Sequence, residues 1–220
     1  MQAVMETAFD TVYLVLVITL GIIMLVSAKG RRQYSLFGLM AVILGSGDAF
    51  HLVPRALALC TSGLEAWTPV LGIGKLITSV TMTVFYVILY QVWKLRYDAQ
   101  RTRGLDLCVW SLALIRIALC LFPQNMWTSA DAPLSWGILR NIPFALMGLV
   151  VIILFYRSAK AENDSAFRWM WLTIVLSFAF YIPVVLWADA YPMIGMLMIP
   201  KTIAYVWTVV IGFTAMRHGK

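Results

Sequence analysis

Charge is scarce in this sequence. Asp, Glu, Lys and Arg make up 12% of the residues, where a soluble domain carries about one-quarter. Histidine occurs twice and cysteine three times, too few for a three-histidine zinc site or a disulfide framework. Alternating apolar and polar runs are missing too, which excludes a transmembrane β-barrel. No polar stretch is long enough to form an added soluble domain. What is present is apolar: 62% of the 220 residues are hydrophobic, and the mean hydropathy is +0.86. At about 20 residues per crossing, such a chain holds roughly seven spanning helices joined by short loops.

Seven apolar stretches run at approximately 9–27, 36–57, 69–93, 106–122, 137–157, 167–188 and 192–215. The fold class read from them is an all-α, multi-pass membrane protein with one transmembrane domain over 1–220. Twelve of the 17 basic residues fall on one side: Lys29, Arg31, Arg32, Lys94, Arg96, Arg101, Arg103, Arg157, Lys160, Arg168, Arg217 and Lys220. By the positive-inside rule the N-terminus is outside and the C-terminus cytoplasmic, in the cell membrane. The net charge of +7 is therefore a topology signal rather than a nucleic-acid patch. Trp67, Trp127, Trp136 and Tyr191 on one side, and Trp93, Tyr97 and Trp169 on the other, form the expected interfacial belts. The first stretch lacks a basic leader and a cleavage site, so it reads as a span and not a signal peptide. The sequon at Asn163 falls in a cytoplasmic loop and would be ignored. Cys60, Cys108 and Cys120 read as free thiols.

The stretches also suggest a three-helix repeat, 9–93 and 137–215, with 106–122 as a linker helix. Asp10 aligns with Asn141 and Tyr13 with Phe144; Ser27-Ala28-Lys29 aligns with Ser158-Ala159-Lys160. After a one-residue gap, Ser35, Phe37 and Met40 meet Ser165, Phe167 and Met170, and Ala49-Phe50-His51-Leu52 meets Ala179-Phe180-Tyr181-Ile182. Helix 3 and helix 7 align through Lys75 and Lys201. Both units run in the same direction, so the repeat is parallel, with a site expected between the halves. This plan resembles the three-plus-one-plus-three architecture of the PQ-loop and sugar-efflux transporters. Microbial rhodopsins are similar in their seven-helix, N-outside layout. The chain departs from the first group in that its one Pro-Gln pair, Pro123-Gln124, follows helix 4.

Ionisable residues inside the spans point to function, because hydrocarbon makes them costly. Helix 2 places Asp48, His51 and Arg55 on one face at spacings of three and four. Lys75 lies roughly 9 Å below the outer end of helix 3, Arg116 similarly deep in helix 4, and Lys201 roughly 13 Å into helix 7, at 1.5 Å per residue. Arg140 and Asn141 open helix 5. Five cations (Arg55, Lys75, Arg116, Arg140, Lys201) thus face one interior carboxylate, Asp48. Arg55 and Arg140 are near enough to the surface to snorkel. The remainder implies an outward-facing basic cavity for a carboxylate, a phosphate or a lipid headgroup, lined also by Tyr181 and Tyr205. Pro54, Pro143, Pro183 and Pro200 are expected to kink their helices and open that cavity.

Three functions follow. The leading one is a transporter or binding protein for a small anionic or zwitterionic compound, with Asp48, His51, Lys75, Arg116, Arg140, Asn141, Tyr181, Lys201 and Tyr205 as binding residues and Lys75 and Lys201 as paired clamps. It favours a non-enzymatic role, needs no metal or cofactor, and has membrane lipid and the anion as partners, with room for a homo-oligomer. The second is an intramembrane hydrolase of lipid headgroups in which Asp48 orients His51 as general base. Its GDAFH segment faintly resembles the seven-helix alkaline ceramidase and progestin-receptor superfamily, though the several histidines that hold zinc there are missing. The third is a retinal Schiff base on Lys201. The run FAFYIPVVLW is similar to the aromatic-proline pocket wall of microbial rhodopsins, but their helix 3 counterion pattern is absent, so Asp48 would substitute.

Overall fold

The computed structural model describes residues 2–188 and 190–218; Lys220, counted above with the basic side, lies outside the described residues. Among these, seven helices are long and apolar enough to cross a membrane: α1 (Gln2–Ser27), α2 (Arg32–Cys60), α3 (Thr68–Arg96), α4 (Arg103–Leu121), α5 (Leu134–Ala161), α6 (Met170–Trp187) and α7 (Met198–His218). Short 3-10 turns at Glu65–Trp67, Pro123–Asn125 and Pro192–Leu197 precede α3, follow α4 and lead into α7. Left-handed residues end several helices: Lys29 and Gly30 (φ 48° and 79°) after α1, Gly63 (φ 85°) after α2 and Asn163 (φ 49°) after α5. Such residues close a helix by satisfying its last carbonyls.

Consecutive helices pack side by side, and α1 meets α7 to close the ring; α3 also reaches α5, and α2 reaches α7. The innermost helix is α3, with 50% of its span buried against 22% for α1 and α4. Small residues let the first three helices approach backbone to backbone, the packing that replaces hydrophobic driving force in lipid. A Cβ on Gly38 of α2 would lie 2.7 Å from the Gly21 carbonyl oxygen of α1, and one on Gly74 of α3 would press on the Phe50 carbonyl of α2. The centre is filled by Met24, Phe37, Met40, Leu44, Phe155 and Phe167, all under 2% exposed.

Three of the four prolines lie inside a helix and the fourth near a helix start. Pro54, Pro143 and Pro183 lie inside α2, α5 and α6. Pro200 stands in the first turn of α7, directly after the 3-10 turn Pro192–Leu197.

The basic ends of the helices are tied together by polar side chains. Arg96 donates from Nε and Nη2 to Asp164 at 2.9 Å each, and the Tyr97 hydroxyl donates to the same carboxylate at 3.0 Å. Lys94, Tyr90 and Thr102 converge on Asp106 at 2.8, 2.9 and 3.0 Å. Asp164 lies outside the spans. Burial pushes its carboxyl up, but hydrogen bonding and charge from Arg96 outweigh this and hold it below the usual carboxylate range. A depressed native value stabilises the fold above the unfolded value near 4 and is lost as the pH falls further. The thermal midpoint should therefore be level from about pH 8 to pH 5 and drop below about pH 4. Asp164→Asn should cost about 1–3 kcal/mol and flatten that acid limb, as read by thermal unfolding across pH.

Candidate functional site

Toward the end opposite the basic one, all seven helices deliver polar or aromatic side chains to one buried place. The Lys201 side chain is 9% exposed, with Nζ 4.8 Å from the Tyr181 ring centre and 5.5 Å from that of Tyr205. Asp48 lies within electrostatic reach of Lys201, yet no ion pair within 4.0 Å forms between them among the described residues. Its carboxylate instead accepts a 2.6 Å hydrogen bond from the Tyr13 hydroxyl of α1. Arg116 of α4 is 2% exposed, and its guanidinium carbon stands 3.3 Å from the centre of the Phe144 ring. Among the described residues its Nε and Nη1 are buried and without a hydrogen-bond partner, while the Cys120 thiol lies against the same guanidinium. Arg116 and Lys201 also sense one another's charge. Asp48 is thus the carboxylate that faces Lys201, and Lys201 stands between it and the charge of Arg116.

Asn141 joins through Tyr181, whose hydroxyl donates to Asn141 Oδ1 at 3.1 Å, while Asn141 Nδ2 donates to the Gly137 carbonyl at 2.8 Å. Tyr205 packs edge-on against Phe85 of α3, with ring centres 5.6 Å apart. Phe144, Phe178 and Tyr86 form the aromatic wall behind Arg116, at 5.0–5.6 Å between ring centres.

Arg140 lies beside this group, in a lid made by the α4–α5 connection. It donates to Asn125 Oδ1 at 2.8 Å and stacks over Trp127 at 4.2 Å. Asn125 is fully buried and donates to the Leu119 and Phe122 carbonyls at 2.7 and 2.8 Å. Trp127 donates to the Cys120 carbonyl at 2.8 Å, and its own carbonyl rests against Gly72 of α3, leaving no room there for a side chain. Arg140 therefore does not snorkel freely; it is held by the lid.

The remaining sequence-based candidates fall elsewhere. Lys75 is exposed on the flank of α3, within electrostatic reach of His51, and does not join Lys201. His51 Nδ1 pairs with the Leu71 carbonyl at 3.2 Å, and because a carbonyl can only accept, that nitrogen carries the proton. The Asp48–His51 relay is not formed. Arg55 is bound by Glu6 of α1, which corrects the expectation that it would reach solvent alone. Glu6, Asp10 and Tyr13 were not among the sequence candidates. Their spacing of four and three puts them on one face of α1, and that pattern could have found them. All three cysteines are free, Cys60 and Cys108 exposed and Cys120 buried. Among the described residues, no group of three or more His, Cys, Asp or Glu comes together that could hold a metal ion.

Comparison with family models, with curated proteins and with solved structures returned no match.

Proposed function

We propose that this is a multi-pass cell-membrane transporter or binding protein for a small anionic or zwitterionic compound, taken at Arg116 and Lys201. The observation that carries this reading is the buried guanidinium whose Nε and Nη1 have no hydrogen-bond partner among the described residues. Leaving such donors unmade in a dry interior is costly, and a carboxylate or phosphate oxygen supplies what they lack. Lys201 adds a second cation, Tyr181 and Asn141 a hydrogen-bonded wall, and the Asn125–Trp127 lid a cover to exclude water.

The parallel repeat also draws support from packing. Tyr13 and Phe144 align, as do Asp48 and Phe178, and each pair of partners touches: Tyr13 bonds Asp48, and Phe144 lies 5.0 Å from Phe178. Phe37 and Phe167, equivalent in the alignment, meet edge-to-face at 6.0 Å, as residues beside a pseudo-twofold axis should. The lysines break the match, since Lys201 is buried and Lys75 exposed. The anion site is accordingly one-sided rather than a symmetric clamp.

A thermal-unfolding screen of the purified protein against carboxylates, phosphates and amino acids tests the proposal. A ligand at about a hundred times its Kd should add about 2.7 kcal/mol of stability, lost in Lys201→Met. A flat screen, or a hit indifferent to Lys201 and Arg116, would reject the site.

Orientation is tested separately. Cys60 is exposed at the end of α2 away from the basic turns. With Cys108 and Cys120 changed to serine, a membrane-impermeant maleimide added to intact cells should label Cys60. Labelling only after permeabilisation would place the N-terminus inside.

One observation favours a second reading. Of the two aligned lysines only Lys201 is interior, between tyrosine rings and within reach of Asp48, as a Schiff-base lysine with its counterion would be. Added retinal would then give a visible absorbance band that Lys201→Met abolishes. The hydrolase reading has less behind it, because Asp48 and His51 are each engaged elsewhere.

A further inference from the structure

At the basic end of the bundle a cleft of about 470 Å³ opens between the end of α3, the α5–α6 loop and α7, remote from the Arg116 site. One wall is apolar, built from Trp207, Val210 and Ile211; the rim is polar, with Ser165, Thr214 and His218. Trp207 and Val210 are 36% and 38% exposed on the flank of a spanning helix, so the wall is open to hydrocarbon. From Trp207 to His218 the helix rises about 16 Å, which carries the cleft from acyl-chain depth to headgroup depth.

Exposed positive charge lies at the same end of the bundle, next to the residues that line the cleft. Arg96 at its floor is neutralised by Asp164. Arg168 and Arg217, by contrast, lie along the rings of Trp169 and Phe213, and both residues are exposed. The α1–α2 turn abuts the same end of α7, since Arg31 Nη2 donates to the Met216 carbonyl at 3.1 Å and the Tyr34 hydroxyl to the Ala215 carbonyl at 3.1 Å. That contact brings the exposed Lys29 and Arg32 to this end as well. An apolar slot facing lipid, with a polar rim and exposed cations at the same end of the bundle, matches one kind of molecule in shape and in charge.

We propose that this cleft binds an anionic phospholipid, with its phosphate at the rim near Arg168, Arg217 and His218 and one acyl chain along Trp207 and Val210. Charge alone would hold a lipid only loosely to the surface; the slot gives it a fixed seat.

Native mass spectrometry of the delipidated protein, with thermal unfolding alongside, tests this with three probes: phosphatidylglycerol, phosphatidylcholine with the same chains, and glycerol phosphate. Phosphatidylglycerol should be retained as a single tight equivalent, about tenfold more firmly than phosphatidylcholine, and glycerol phosphate should bind far more weakly. The Arg168→Gln/Arg217→Gln pair, both on the surface and checked for helicity by circular dichroism, should erase the headgroup preference. Val210→Trp, which fills the slot, should reduce retention of both lipids while the fold persists. Equal retention of the two lipids, or a preference unmoved by either variant, overturns the proposal. Glycerol phosphate binding as well as the lipid overturns it too, and makes the cleft a soluble-phosphate site.

Discussion

Arg116→Met should leave the ligand-free protein as stable as before, or more stable, while weakening anion binding a hundredfold or more. The two halves of this expectation come from different terms. In the native protein the guanidinium is 2% exposed, with Nε and Nη1 lacking a hydrogen-bond partner among the described residues. Methionine is apolar and of similar reach. Replacing a buried ion with a well-packed hydrophobe is often neutral or gains about 1–4 kcal/mol. Against this stands the lost stacking on Phe144, worth about 2 kcal/mol where the cation is desolvated. The two nearly cancel. Binding is different, because each charge-assisted hydrogen bond to an anion contributes about 1.5–3 kcal/mol, and two of them reach the hundredfold range. Thermal unfolding with and without the ligand separates the two. A variant that melts far below the native protein yet keeps its full response to the anion would make Arg116 a structural plug between α4 and Phe144. Arg116→Lys retains the charge but loses the planar stack, and should bind at an intermediate strength.

Much of this was legible in the sequence because the bilayer imposes simple rules. Each span needs about 20 apolar residues, and every backbone group must bond within it, so hydropathy marked all seven helices, with the start of α1 and of α7 the least well placed. Lys201 and Arg116, singled out as ionisable residues within apolar stretches, are both buried. Rotation about the helix axis is harder to read. Lys75 sits at nearly the same depth as Lys201, but α3 turns it to the exposed flank, because Gly72 and Gly74 are spent on contact with Trp127 and Phe50. Partners distant in the chain were hidden too. Glu6 answers Arg55 across 49 residues, and Tyr13 takes Asp48 across 35. Once Arg55 is paired, the excess of interior positive charge narrows to Arg116 and Lys201, and that is why the site is smaller than the sequence suggested.

The charge balance of that smaller site can be measured. Asp48→Asn keeps the shape of the side chain and an oxygen for the Tyr13 hydroxyl, so what it removes is the negative charge facing Lys201. Taking away one member of a buried charged group typically costs about 3–5 kcal/mol, because the others remain uncompensated. At about 2–4 °C per kcal/mol for a chain of this size, the thermal midpoint should fall by roughly 10 °C. Adding Lys201→Met should restore a good part of the loss, since the double variant leaves one buried cation instead of two. The cycle of Asp48→Asn, Lys201→Met and both together should therefore show a coupling of about 1–3 kcal/mol. Strict additivity would mean that the separation beyond 4.0 Å is electrically insulating and that Asp48 answers Tyr13 alone. A neutral Asp48→Asn would mean that the carboxyl carries no charge in the folded protein. The site would then hold two cations and no fixed anion, and a bound anion would be needed all the more.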